Sequence, residues 1–187
     1  GTAVPYTVVG SKTFPVAAGA SAPLTIRFAP TARGDYSNVR VVIVNTAEYF
    51  SFVTLNGIGT TAGSAYAVAS PAGGSTINYG DTNANQPKNR YVVLKNLGDT
   101  ALTVTSVGVV GSTAFTAPGT YPLVIAANGG EEKVTLTCTP PAVGDYAGVA
   151  TLSLTGDSAV PTLTYSLTAQ GVIAPPAAAG SAWVMYY

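Results

Sequence analysis

The residues able to do chemistry in this 187-residue chain are few, and their absences are as informative as their presence. There is no histidine, which removes Ser-His-Asp and Cys-His catalysis and the commonest zinc ligand. The only cysteine is Cys138, so no intrachain disulfide can form. The sequence "VTLTC" places it at an apolar position of an alternating run, where it reads as a small buried group rather than a nucleophile. Paired carboxylates could in principle hydrolyse glycosides. The eight acids are Asp35, Glu48, Asp81, Asp99, Glu131, Glu132, Asp145 and Asp157, and most lie in turn-like sequence. Asp81 and Asp99 have no calcium-loop spacing around them. No metal, cofactor or catalytic residue is expected, and the chain reads as a non-enzyme.

Aromatic residues suggest the one ligand chemistry worth naming. The polar stretch "NYGDTNANQPKNRY" (78–91) resembles a long loop carrying Tyr79, Asn83, Asn85 and Tyr91. Exposed tyrosines beside asparagines could stack on and hydrogen-bond a glycan. An adhesin or carbohydrate-binding stalk module is therefore the alternative function.

Composition limits the partners. Charged residues are only 9% of the chain, against a usual ~25%, and the net charge is zero. That excludes the basic footprint needed for nucleic acid and favours self-association. No window approaches a membrane-spanning apolar helix. No Asn opens a glycosylation sequon, and neither an initiator Met nor a signal-peptide pattern begins the chain. A processed, trimmed or partial chain is expected, acting outside the cell.

The elements are strands. "LTIRF" (24–28) and "VTLTC" (134–138) alternate apolar and polar residues, and 21 Gly and 13 Pro punctuate the chain with turns. No capped helical period is present, so the fold class is all-β. The chain also repeats itself. "LTIRFAPTARGDYSNVRVVIV" (24–44) aligns without a gap on "VTLTCTPPAVGDYAGVATLSL" (134–154), and "LNGIG" (55–59) on "LTAQG" (167–171). The opening "YTVVGSKTF" (6–14) shares letters with "VGVVGSTAF" (107–115), which would make Val8 the counterpart of Val109. On that alignment the second copy has 44 residues ahead of the match and the first has 7, a deficit of 37. Two tandem immunoglobulin-like β-sandwiches follow, the first lacking its opening strands: an incomplete unit at 1–60, a complete unit at 64–171, and a Pro/Ala linker with a C-terminal strand at 172–187.

An unfinished sandwich exposes a core and unpaired edges, which are adhesive. "GSAWVMYY" (180–187) is similar to "GSAYAVAS" (63–70), the lead-in to the complete unit. Trp183, Val184, Met185, Tyr186 and Tyr187 would thus form an assembly strand, donated to another subunit or opening a further repeat. The partners implied are the chain itself or adjacent repeats. "VRVVIV" (39–44) supplies a second contact. Aligned on the second copy, it puts Val42 and Val44 toward the core and Val39, Val41 and Ile43 on an outer assembly face, unless a β-bulge shifts the phase.

Phe28, Pro30, Gly34, Tyr36, Leu55, Gly57 and Gly59 resemble the pattern of ASH or Hydin-like immunoglobulin-type domains, also found in choice-of-anchor-D surface proteins. Pro140, Gly144, Tyr146, Leu167 and Gly171 repeat it, with Cys138 in place of the aromatic and Ala169 in place of a Gly. "INYGDT" (77–82) and "VVLKNLGDTALTV" (92–104) are similar to that family's opening strands, so the resemblance covers most of 8–171. It implies a scaffold or binding module of an extracellular filament, surface layer or virus particle, and brings no catalytic residues.

Overall fold

The computed structural model describes residues 5–47 and 49–173. The C-terminal assembly strand, Trp183 to Tyr187, lies outside the described residues.

Alternation of β-branched and polar residues gives fifteen strands among the described residues, and no helix. The first unit holds β1 (Tyr6–Val9), β2 (Thr25–Phe28), β3 (Gly34–Asp35), β4 (Val39–Val44), β5 (Phe50–Leu55) and β6 (Ile58–Gly59). The second holds β7 (Ala67–Ser70), β8 (Thr76–Asn83), β9 (Lys88–Asn96), β10 (Leu102–Gly111), β11 (Phe115–Thr116), β12 (Leu123–Ile125), β13 (Gly130–Cys138), β14 (Gly144–Thr155) and β15 (Thr162–Val172).

The second unit is a closed immunoglobulin-like β-sandwich. One sheet has the order β12-β10-β14-β15-β8 and the other β11-β13-β9-β7. All pairings are antiparallel except β15 with β8. Their inner faces meet in a single core of nineteen buried apolar residues, among them Tyr79, Val92, Leu94, Leu102, Leu136, Leu152, Tyr165 and Leu167. Cys138 is buried in it as expected, and burial pushes its thiol up from the ordinary value.

The turn chemistry is specific. Asn96 is fully buried. Its Oδ1 accepts from the Tyr66 and Gly98 amides, and its Nδ2 donates to the Thr100 and Ile125 carbonyls. One side chain thereby ties the entry of β7 to the turn after β9. A second fixture occurs in both units. Tyr36 Oη donates to the Ala32 carbonyl at 3.0 Å, and Tyr146 Oη to the Ala142 carbonyl at 3.1 Å. These are tyrosine corners at repeat-equivalent positions.

Among the described residues, the first unit has the repeat's closing strands and no second sheet over them. Its pairs are β1-β2, β3-β6 and β4-β5. Among its described residues only Gly59 is fully buried.

Register corrects the expected counterpart of the N-terminus. Tyr6 pairs with Phe28 and Thr7 with Arg27; Phe115 pairs with Cys138 and Thr116 with Thr137. The flanking bonds agree, since the Ala29 amide donates to the Pro5 carbonyl as the Thr139 amide donates to the Ala114 carbonyl. So β1 occupies the place of β11, not of β10. "TFPVAA" (13–18) then corresponds to "TYPLVIAA" (120–127). The first unit therefore lacks counterparts of β7, β8, β9 and β10, one strand more than the shared letters suggested.

Candidate assembly interface

Among the described residues, three strand edges of the first unit are open where the second unit fills them. β13 is flanked by β11 and β9, whereas β2 has only β1. β14 is flanked by β10 and β15, whereas β3 and β4 have only β6 and β5. β15 carries β8 on its far edge, whereas β5 and β6 carry nothing. The segment after β1 shows the consequence. Leu123–Ile125 is a strand because β10 pairs with it; Val16, without such a partner, lies in coil and is half exposed.

The β4-β5 hairpin is apolar on both faces. Gly34 pairs with Gly59 and Asp35 with Ile58, a register that carried forward would set Val39 opposite Thr54. Val39 instead pairs with Leu55. The extra residue is taken up at Asn38, whose φ of 63° is left-handed and whose amide donates to Asn56 Oδ1. β14 runs through the equivalent stretch without interruption.

This bulge reverses the expected faces of β4. Paired residues on antiparallel strands share a side. Val39, Val41 and Ile43 therefore lie with Leu55, Val53 and Ser51, on the inner side, where the Tyr6 and Phe28 rings lie over Gly57. They are not the outer face. The outer face consists of Val42, Val44, Phe50 and Phe52, which are 58, 62, 69 and 54% exposed. Arg40 is its one charge, its guanidinium 4.9 Å from the Phe52 ring centre.

A buried ion pair clasps this open unit to the closed one. Arg33 donates from Nη1 to Asp157 Oδ1 and from Nη2 to Oδ2. Its guanidinium also lies 4.0 Å over the Tyr66 ring. The Asp157 side chain is 1% exposed and accepts further bonds from the Ala67 and Ala159 amides. Burial alone would raise its pKa; the Arg33 guanidinium and the two amides outweigh that and hold it below the ordinary carboxylate value. Sequence reading missed this pair. Its partners are 124 residues apart, and the position equivalent to Arg33 in the second unit is Val143.

The proposed glycan loop does not form. Residues 78–91 are the end of β8, a four-residue connection and the start of β9. Tyr79 is fully buried in the core against Phe115, its ring centre 5.6 Å away, while Tyr91 is exposed on β9. Asn83 is half-buried at the end of β8, and Asn85 holds a left-handed turn with φ 61°. The four residues share no surface. Lys88 instead donates to the Tyr79 and Asp81 carbonyls, and Asn78 Oδ1 accepts from the Gly80 amide. These bonds hold the bulge at which β8 changes register against β15.

Two further carboxylates hold turns: the Ser37 hydroxyl and amide keep Asp35 below its ordinary value, and Asp99 accepts from the Gly63 and Ser64 amides. Among the described residues no three His, Cys, Asp or Glu groups gather where a metal could bind. None of the described residues forms a helix long and apolar enough to cross a membrane.

No protein-family model matches the chain, nor does any curated protein sequence. Solved structures do. The chain is similar to the ASH/PapD-like domain of human CEP192 (PapD-like domain 7), at 22% identity over 63% of this chain and 92% of that one, with a TM-score of 0.44. It is similar to WR4, a C. elegans MSP family member, at 14% identity over 55% of this chain and 96% of that one, TM-score 0.37. It also resembles part of the secreted serine protease VesC of Vibrio cholerae, at 14% identity over 53% of this chain and 22% of that one, TM-score 0.39. At these identities and scores the likenesses bear on neither activity nor partner.

Proposed function

We propose that the chain is a non-catalytic structural segment of an extracellular filament, surface layer or virus particle, joined to its neighbours by strands that complete the first unit. One observation supports this above the rest: Val42, Val44, Phe50 and Phe52 are exposed on a hairpin whose other face is also apolar. Strands buried on both faces read as near-continuous apolar runs of this kind. Covering four such side chains is worth about 1.5–3 kcal/mol each before association costs. Dispersal of Tyr79, Asn83, Asn85 and Tyr91 removes the feature that favoured a glycan-binding stalk.

Sedimentation velocity over a concentration series tests the reading. The chain should self-associate, and Phe50→Ser with Phe52→Lys should abolish that association while the far-ultraviolet spectrum is retained. Removal of 174–187 asks separately whether the C-terminal strand contributes. A chain that stays monomeric at every concentration and binds no hydrophobic dye would overturn the proposal.

A further inference from the structure

The second unit shows what the first one requires. Its own β7–β10, Ala67–Gly111, supply every pairing whose counterpart is absent in the first unit: β9 on β13, β10 on β14 and on β12, and β8 on β15. The same stretch, with Ala65 just ahead of it, provides seven of the nineteen buried apolar residues: Ala65, Ile77, Tyr79, Val92, Leu94, Leu102 and Val104. An eight-residue segment such as 180–187 is long enough to close one of the three open edges and too short to stand in for both sheets.

The geometry points to a specific occupant, and it rests on the reading of the first unit as an acceptor. We infer that the first unit is completed by a four-strand block of this repeat's own type, matching β7–β10 in pairing order and supplied by a neighbouring repeat rather than by the closed unit of a second copy. Chain connectivity shows that such a block can be joined to β1. β10 ends at Gly111, and only Ser112, Thr113 and Ala114 separate it from β11. Ala114 and Pro5 hold equivalent places, each carbonyl accepting from the strand opposite. A block ending at the counterpart of Gly111 would thus reach β1 through the connection already used in the second unit. A second copy could offer its own β7–β10 only by stripping six residues from its core.

The experiment places a duplicate of residues 64–113 immediately before Pro5, in place of residues 1–4, and reads amide hydrogen exchange over 39–44 and 50–55. The expected result is protection rising by roughly tenfold or more, toward that of β14 and β15 in the same molecule, with loss of dye binding. A control duplicate carrying Asp at the positions copied from Leu94 and Val104 should restore fast exchange. No gain of protection over 39–44 and 50–55, whether or not the duplicate itself is protected, would overturn the inference. So would protection that grows with concentration in the unmodified chain, because the occupant would then be a second copy. That last result would leave the assembly proposal standing, whereas a monomeric chain that binds no dye would sink that proposal while the duplicate's effect on protection still decides this inference.

Discussion

Phe28 and Gly57 in the first unit correspond to Cys138 and Ala169 in the second, and the two exchanges belong together. A Cβ added at Gly57 would lie 2.7 Å from Phe28 Cζ and 2.6 Å from Tyr6 Oη, too close for any side chain. Where Cys138 replaces the ring, Ala169 fits. Gly57→Ala should therefore reduce exchange protection at β1 and β2, and adding Phe28→Cys should recover most of the loss, a coupling that a double-mutant cycle would measure. Arg33 supports a second prediction. Arg33→Ala strands a buried carboxylate and should cost about 2 kcal/mol in denaturant unfolding, below the ~3–5 kcal/mol of a wholly buried pair, because Arg33 keeps part of its surface in water. The pH dependence has a fixed sign. Asp157 titrates below its unfolded value, so its contribution is complete above about pH 4 and is lost as pH falls through the lower folded pKa. Thermal melts of the native chain and Asp157→Asn should differ near neutrality and converge in acid.

Strand by strand, period-two alternation was readable in "LTIRF" and "VTLTC", and both are strands with Cys138 inward. Face assignment failed at β4, because one left-handed residue reverses every side chain after it and "SNV" differs little from "AGV" as letters. Asn38 tolerates that conformation; a β-branched residue does not. Asn38→Val should therefore cost about 1–2 kcal/mol of local stability, and Asn38→Gly should cost little, as hydrogen exchange at β4 would show. The shared letters of 6–14 and 107–115 misled for a related reason. Strand identity is fixed by which backbone groups pair, and Ala29 with Pro5 decides it where "VVGS" cannot. Tyr79 was hidden by its neighbours: polar residues around it serve a bulge and a turn rather than a surface, and its ring is core.

At the scale of the whole molecule, two units of one repeat differ in closure and should differ in exchange. Residues 64–172 share a continuous core, while the described part of 5–58 contains no fully buried residue. Amides of β14 and β15 should exchange only by global unfolding, and those on the free edges of β2, β4 and β5 orders of magnitude faster. That incompleteness was legible in the sequence because the repeat could be aligned with itself; its extent was not, because extent depends on register. The clasp has a mechanical meaning as well. Arg33 fastens the first unit to the second through two parallel hydrogen bonds, so pulling the units apart must break a guanidinium–carboxylate pair as well as straighten the backbone between them. Val143 stands exposed at the matching place and has no charge to offer. A tether built from such pieces would resist tension unevenly, and acid strong enough to protonate Asp157 would soften the joint that Arg33 guards while leaving a Val143-type joint unchanged.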